Sequence, residues 1–205
     1  MPAKNTIKNF LPNGYYHIFN KGTGSAKIFK SDQDYIHFLR LLKKHLEKHP
    51  KQDEYGRVPV SYHNQIELLA YGLEPKSFSL LVYVGNEPRA ISELMRRVCT
   101  AYTMYFNHKY NHSGTIFETR YKARFVDDHT SLPNITRHVH RLVDDYKTWP
   151  YSSLQYYIGS AKSDWVRPAK IYKMYEWGTY EKYLDSYGSM NHDEAEHMHS
   201  QLANY

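Results

Sequence analysis

The sequence has almost no cysteine. Cys99 is the one thiol among 205 residues, which excludes an intrachain disulfide and a zinc site built on cysteines. It lies in an apolar helical pattern and reads as core rather than as a nucleophile. Long apolar runs are also missing. Nothing approaches the roughly 20 residues that a membrane-spanning helix needs, and the opening residues lack the apolar block of a signal peptide. The expectation is a cytoplasmic protein with no membrane partner. Acidic residues are in the minority: 27 Lys+Arg against 21 Asp+Glu leave a charge of +6. The excess is uneven, with a net +8 over residues 1–160 and −2 over 161–205. Tyrosine is abundant, at 21 residues. A basic, Tyr-rich chain suits a nucleic-acid binder, with cations for phosphates and rings for bases. Composition alone equally allows an ordinary basic protein.

Residues 1–13 are a polar lead-in. Tyr15–Asn20 reads as a strand, and Lys21-Gly22-Thr23-Gly24-Ser25 as the loop after it. Ser31 or Asp32 caps a helix whose apolar face is Tyr35, Phe38, Leu39, Leu42 and Leu46. Residues 51–64 form a polar connection. Gln65–Leu73 and Ser77–Val84 read as a hairpin across Glu74-Pro75-Lys76. In its second strand Ser77 and Ser79 share one face and Phe78 takes the other. A long helix follows Pro88, with Ile91, Leu94, Met95, Val98, Tyr102, Tyr105 and Phe106 on its apolar side. Arg120–Val126 alternates, placing Arg120, Lys122 and Arg124 on one strand face and Tyr121 and Phe125 on the other. Three cations on one face repel unless something anionic, or solvent, sits there. Ser131–Tyr146 reads as a further helix with Pro133 in its first turn. The order is β-α-β-β-α-β plus a helix. The fold class expected is α+β, a ferredoxin-like split βαβ with a four-stranded antiparallel sheet and two helices on one face. An additional helix and a C-terminal extension complete it. The domain spans 14–160, and 161–205 is a Tyr-rich extension.

Several phrases in order resemble the single-tyrosine HUH transposases, above all the REP-associated tyrosine transposase branch. They are Tyr16-His17-Ile18-Phe19-Asn20-Lys21-Gly22, the stretch Ala70–Val82, Tyr105–Tyr110, Gly114–Ala123, Arg137-His138-Val139-His140 and Trp149–Ser153. The resemblance covers about Gly14 to Gly159. It implies cleavage and rejoining of single-stranded DNA, with a divalent metal (Mg or Mn) held by two histidines and a polar residue. A helix tyrosine would attack phosphorus and form a phosphotyrosine bond. This sequence departs at every such position. Ser77 and Ser79 stand where the metal histidines would be, His138 at the nucleophile and Leu142 at the third ligand.

The leading reading is a transposase-like DNA-binding protein without cleavage activity and without a cofactor, recognising single-stranded or hairpin DNA, with RNA as the alternative. Its phosphate contacts are expected from Lys21, Arg96, Arg97, Lys109, Arg120, Lys122, Arg124 and Arg137, and its base stacking from exposed tyrosines such as Tyr15 or Tyr121. A second reading keeps a nickase with a relocated site. His138 would join His17 or His63 on a metal, and Tyr146, eight residues on, would be the nucleophile on the same helical face. A third is a protein-interaction or homodimerisation module.

Overall fold

The computed structural model describes residues 10–174 and 180–186. They fall in two compact units, one ending at Met174 and one starting at Tyr175. The first contains strands β1 (Gly14–Lys21), β2 (Ile66–Glu74), β3 (Ser77–Val84) and β4 (Lys122–Val126). Helices α1 (Asp32–Leu46), α2 (Arg89–Tyr110), α3 (Leu132–His140), α4 (Leu154–Tyr157) and α5 (Ala169–Tyr172) complete it. In the second unit the described residues form α6 (Tyr180–Asp185), where the Tyr180 and Tyr183 rings lie 6.2 Å apart. The remainder of the expected extension lies outside the described residues. Among the described residues, no helix is long and apolar enough to cross a membrane.

The four strands form one antiparallel sheet in the order β2-β3-β1-β4. This is the expected ferredoxin-like arrangement. Strand alternation gives the sheet two chemically different faces. Phe78, Leu80, Val82, Tyr16, Ile18 and Leu68 point to one face and pack with Phe38 and Leu42 of α1 and Ile91, Leu94 and Val98 of α2. Each such aliphatic or aromatic side chain contributes about 1.5–3 kcal/mol by leaving water. His17, Phe19, Ser77, Ser79, Lys122 and Arg124 have the opposite parity. A bulge between Leu68 and Ala70 lets β2 keep Leu68, Leu69, Ala70 and Tyr71 all buried.

A buried carboxylate ties α1 to α2. Asp34 is fully buried and accepts hydrogen bonds from the Lys30 and Ser31 amides (2.8 and 3.0 Å). Lys109 Nζ (2.6 Å), Tyr110 OH (2.7 Å) and Tyr105 OH (3.0 Å) reach it from the last turns of α2. Burial alone would raise its pKa. The bonds from Lys109, Tyr110, Lys30 and Tyr105 outweigh that and hold it at about 2.

Helix α3 packs on the other face, against β2 and β3. It is shorter than the periodicity suggested and ends at His140, not Tyr146. The Arg141 amide is shared between the Arg137 and His138 carbonyls (3.0 and 3.1 Å), and Arg141 leaves the helical region at φ −107°, ψ 27°. The chain then turns to pair with the outer edge of β2. Leu73 N donates to Tyr151 O (3.0 Å), Ser153 N to Tyr71 O (2.8 Å) and Arg167 N to Leu68 O (2.8 Å). Residues 151–153 and 166–167 thus line the outer edge of β2. Strand β4 begins at Lys122, so Arg120 precedes it.

Gly72 is the contact point for α3. A Cβ there would sit 2.2 Å from the Val139 carbonyl oxygen and 2.8 Å from Leu142 Cδ1. Gly72→Ala is expected to lower stability by about 1–3 kcal/mol through overpacking. Gly85→Ala, where the nearest atom is 3.8 Å away, is expected to stay within about 0.5 kcal/mol. Urea unfolding of the two variants checks both.

Candidate functional site

The face under α3 gathers most of the chemistry that the sequence pointed to. β1 and β3 pair so that Phe19 faces Ser79 and His17 faces Leu81. His17 and Ser79 are thus diagonal neighbours of one parity, and His17 Nε2 lies 2.6 Å from Ser79 Oγ. On the other side of β1, Arg124 faces His17 and Lys122 faces Phe19. The His17 and Phe19 rings stack at 5.0 Å, and Lys122 Nζ sits 6.0 Å from the centre of the Phe19 ring. His138 comes down from α3 with its ring edge-on to His17 at 6.3 Å. Two rows cross the sheet here, one of imidazole and guanidinium and one of phenyl and ammonium.

His17 is 3% exposed. Burial, then the nearby His138 and Arg124, push its pKa down to about 3, so the ring is neutral at pH 7. Among the described residues its Nδ1 has no hydrogen-bond partner. His140 is displaced to a different environment. Its Nε2 lies 2.7 Å from Ser153 Oγ, and burial likewise takes its pKa to about 3. His138 and His140 do not converge, as their two-residue spacing implies. His63 is engaged elsewhere, its Nδ1 3.0 Å from the Leu46 carbonyl oxygen at the end of α1.

The residues that the resemblance would place at the metal positions do not fit a metal. The Ser77 hydroxyl donates to the Glu74 carboxylate, and Ser79 Oγ is taken up by His17. Leu142 has no donor atom and rests on Gly72. Two neutral hydroxyls are weak ligands, and the imidazole that reaches Ser79 lies opposite Arg124 in the sheet. Tyr146 is not on the helix of His138. It is buried, with the Arg141 guanidinium 4.8 Å from its ring centre. The helical geometry that would have made it the successor nucleophile is absent.

The expected phosphate-binding residues divide among several places. Lys122 and Arg124 share the site's face. Arg137, on α3, is buried and donates from Nη2 to Asn134 Oδ1 (2.9 Å). Lys21 is exposed at the end of β1 and pairs with Glu118 at 3.2 Å. Arg120 is exposed just ahead of β4. Arg96 and Arg97 are exposed on α2, in the helical layer across the sheet. Lys109 is bound to Asp34. The stacking candidates change too. Tyr15 is buried against Tyr83 and His129 rather than exposed. Tyr121 turns toward α2, where its hydroxyl meets Ser92 at 3.4 Å. The aromatic beside Lys122 on the site's face is the half-buried Phe19. Sequence reasoning missed Phe19 and the His17–Ser79 pair. Strand parity in β1, combined with a strand order that makes β1 the neighbour of β3, was the signal that could have found them.

No family model matches the chain, and no curated protein matches it in sequence. Among solved structures it resembles a REP-associated tyrosine transposase bound to a REP hairpin. The TM-score is 0.53 and the identity 12%, over 86% of this chain and 96% of that one. The chain shares the fold of that transposase. A candidate transposase from Deinococcus radiodurans also aligns, with a TM-score of 0.40 and 16% identity over 63% of this chain and 89% of that one.

The buried histidines set a pH dependence. In the unfolded chain they take up protons near the ordinary pKa of about 6.5, whereas His17 and His140 in the fold resist until about 3. Stability is therefore full above about pH 6.5 and declines as pH falls toward 3. The slope approaches about 1.4 kcal/mol per pH unit for each ring. Asp34, lowered from 3.8 to about 2, adds its own loss only below about pH 4. Urea unfolding at about pH 7 and about pH 5 is expected to show the decline, and His17→Gln to remove one ring's share of the slope. An unchanged slope in that variant would mean that His17 is not held neutral.

Proposed function

We propose that this protein is a transposase-like binder of single-stranded or hairpin DNA that does not cleave it. The observation that carries this reading is the union on one sheet face of two cations, Lys122 and Arg124, with the Phe19 ring and a hydrogen-bonded His17–Ser79 pair. Cations hold phosphates by charge, and a ring beside them gives an unpaired base a surface to stack on. The His17–Ser79 bond supplies a fixed floor at the place where a cleaving relative would need a metal. The transposase fold supports the same assignment, since the similar structure is described as bound to a REP hairpin.

The same atoms support the absence of cleavage. A phosphotyrosine mechanism needs an exposed tyrosine beside an activated phosphate, and His138 stands at that position. Tyr146 is buried and off the helix. Neutral Ser77 and Ser79, already engaged in hydrogen bonds, are poor ligands for the divalent metal that such a mechanism uses.

Binding to a fluorescent hairpin with a single-stranded flank is expected to weaken steeply from low to moderate salt. Lys122→Glu combined with Arg124→Glu is expected to weaken it at least about tenfold, and Phe19→Ala to cost about 1–3 kcal/mol for a flank base lost from the stack. Incubation with Mg²⁺ or Mn²⁺ is expected to leave the oligonucleotide intact. Affinity that is flat with salt, or unchanged in the double variant, would show that this face does not meet the phosphates. Cleavage abolished by Tyr146→Phe would replace the reading with a nickase.

A further inference from the structure

The helical layer carries a second group of cations that the site above does not use. Helices α1 and α2 run antiparallel, as their contacts show. Asp34 meets Lys109 at one end, and the His37 ring lies on Tyr105 at 3.9 Å and 10° further along. His45 lies near Arg97 at the other end. This register brings Arg40 and Lys44 of α1 to the same seam as Arg97 of α2. All three are exposed, as are the flanking Lys43 and Arg96.

The seam is electrostatically one surface. His37 has its pKa lowered by burial, then by Arg40, and Lys109 adds to that against Asp34. His45 is lowered by burial, with Lys44 and Arg97 adding to it against its bond to the Val60 carbonyl. Cations from both helices therefore act on the groups between them. Among the described residues, no carboxylate forms an ion pair with Arg40, Lys44 or Arg96. Arg97 Nε donates to the Tyr62 hydroxyl at 3.0 Å. Lys43 and Lys44 lie in the last turn of α1, where cations offset the helix's negative end. Arg96 and Arg97 sit mid-helix in α2 and Arg40 more than a turn before the end of α1, so that explanation does not cover them.

We propose that the α1–α2 seam is a second phosphate-binding surface, so that one molecule holds two nucleic-acid segments, one on each side of its sheet. This rests on the reading that Lys122 and Arg124 hold the first. Arg40 and Lys44 are four residues apart, about 6 Å along the helix axis, and both are exposed to solvent. The ligand that fits them is the sugar–phosphate backbone, engaged without base readout. Binding at the seam is therefore independent of sequence and strongly dependent on salt.

The test uses the full chain and two hairpins of unrelated sequence. One is immobilised through biotin, protein is added, unbound protein is washed away, and capture of the second, fluorescent hairpin is read. Wild-type protein is expected to capture it. Arg40→Glu with Lys44→Glu is expected to retain direct binding to the first hairpin and lose capture of the second by about tenfold. Circular dichroism confirms that the variant is folded. Capture undiminished in that variant overturns the proposal and indicates two copies bridging the hairpins. Wild-type protein that binds the first hairpin but captures no second one also overturns it. Wild-type protein that binds no hairpin removes the underlying reading as well, and that result is distinguishable because the first step already fails.

Discussion

Helix α3 can lie on the strand face only because Gly72 has no side chain. The Val139 carbonyl occupies the space a Cβ would take, 2.2 Å from its position. That approach sets the height of α3 above the sheet, and everything on this face follows from it. His138 comes within ring contact of His17, His140 is delivered to Ser153, and Leu142 closes over Gly72. The β2 bulge at Leu69 contributes, because it fixes which residues of β2 look toward α3 after Leu68.

The two sides of the sheet are stabilised by different means. The helical side is an apolar core closed at one end by a buried carboxylate with five hydrogen-bond donors. Removing a partner from such a carboxylate costs far more than removing a surface ion pair. The α3 side is held by close backbone approach and by two imidazole–hydroxyl bonds, both kept neutral by burial. Neutral pairs suit a face that also carries Lys122 and Arg124, since a charged His17 would add to their repulsion.

Much of this was legible in the sequence. The βαββαβ order, the hairpin across Pro75 and the apolar faces of α1 and α2 follow from local periodicity and turn chemistry. The Ser77–Ser79 parity also held, because alternation along a strand is a local property. What was not legible depended on partners distant in the chain. The periodicity of 131–146 gave no sign that the chain must leave the helix at Arg141 so that Tyr151–Ser153 can pair with β2. The position of Tyr146 was lost with it. Tyr15 looked available for stacking until Tyr83 and His129 closed over it. Lys109 read as a surface cation because its partner, Asp34, lies 75 residues away.

The pairing of residues 151–153 and Arg167 with β2 has a further consequence for solution behaviour. It uses up the hydrogen-bonding groups along one margin of the sheet, and among the described strands β4 forms the other. Two molecules that met through β4 would bring Lys122 and Arg124 of one chain close to the same residues of the other. Like charges across an antiparallel pair oppose such growth. The two cations proposed to meet a polyanion would thus also guard the sheet against fibrous self-association, and a substitution chosen to silence one role would weaken the other.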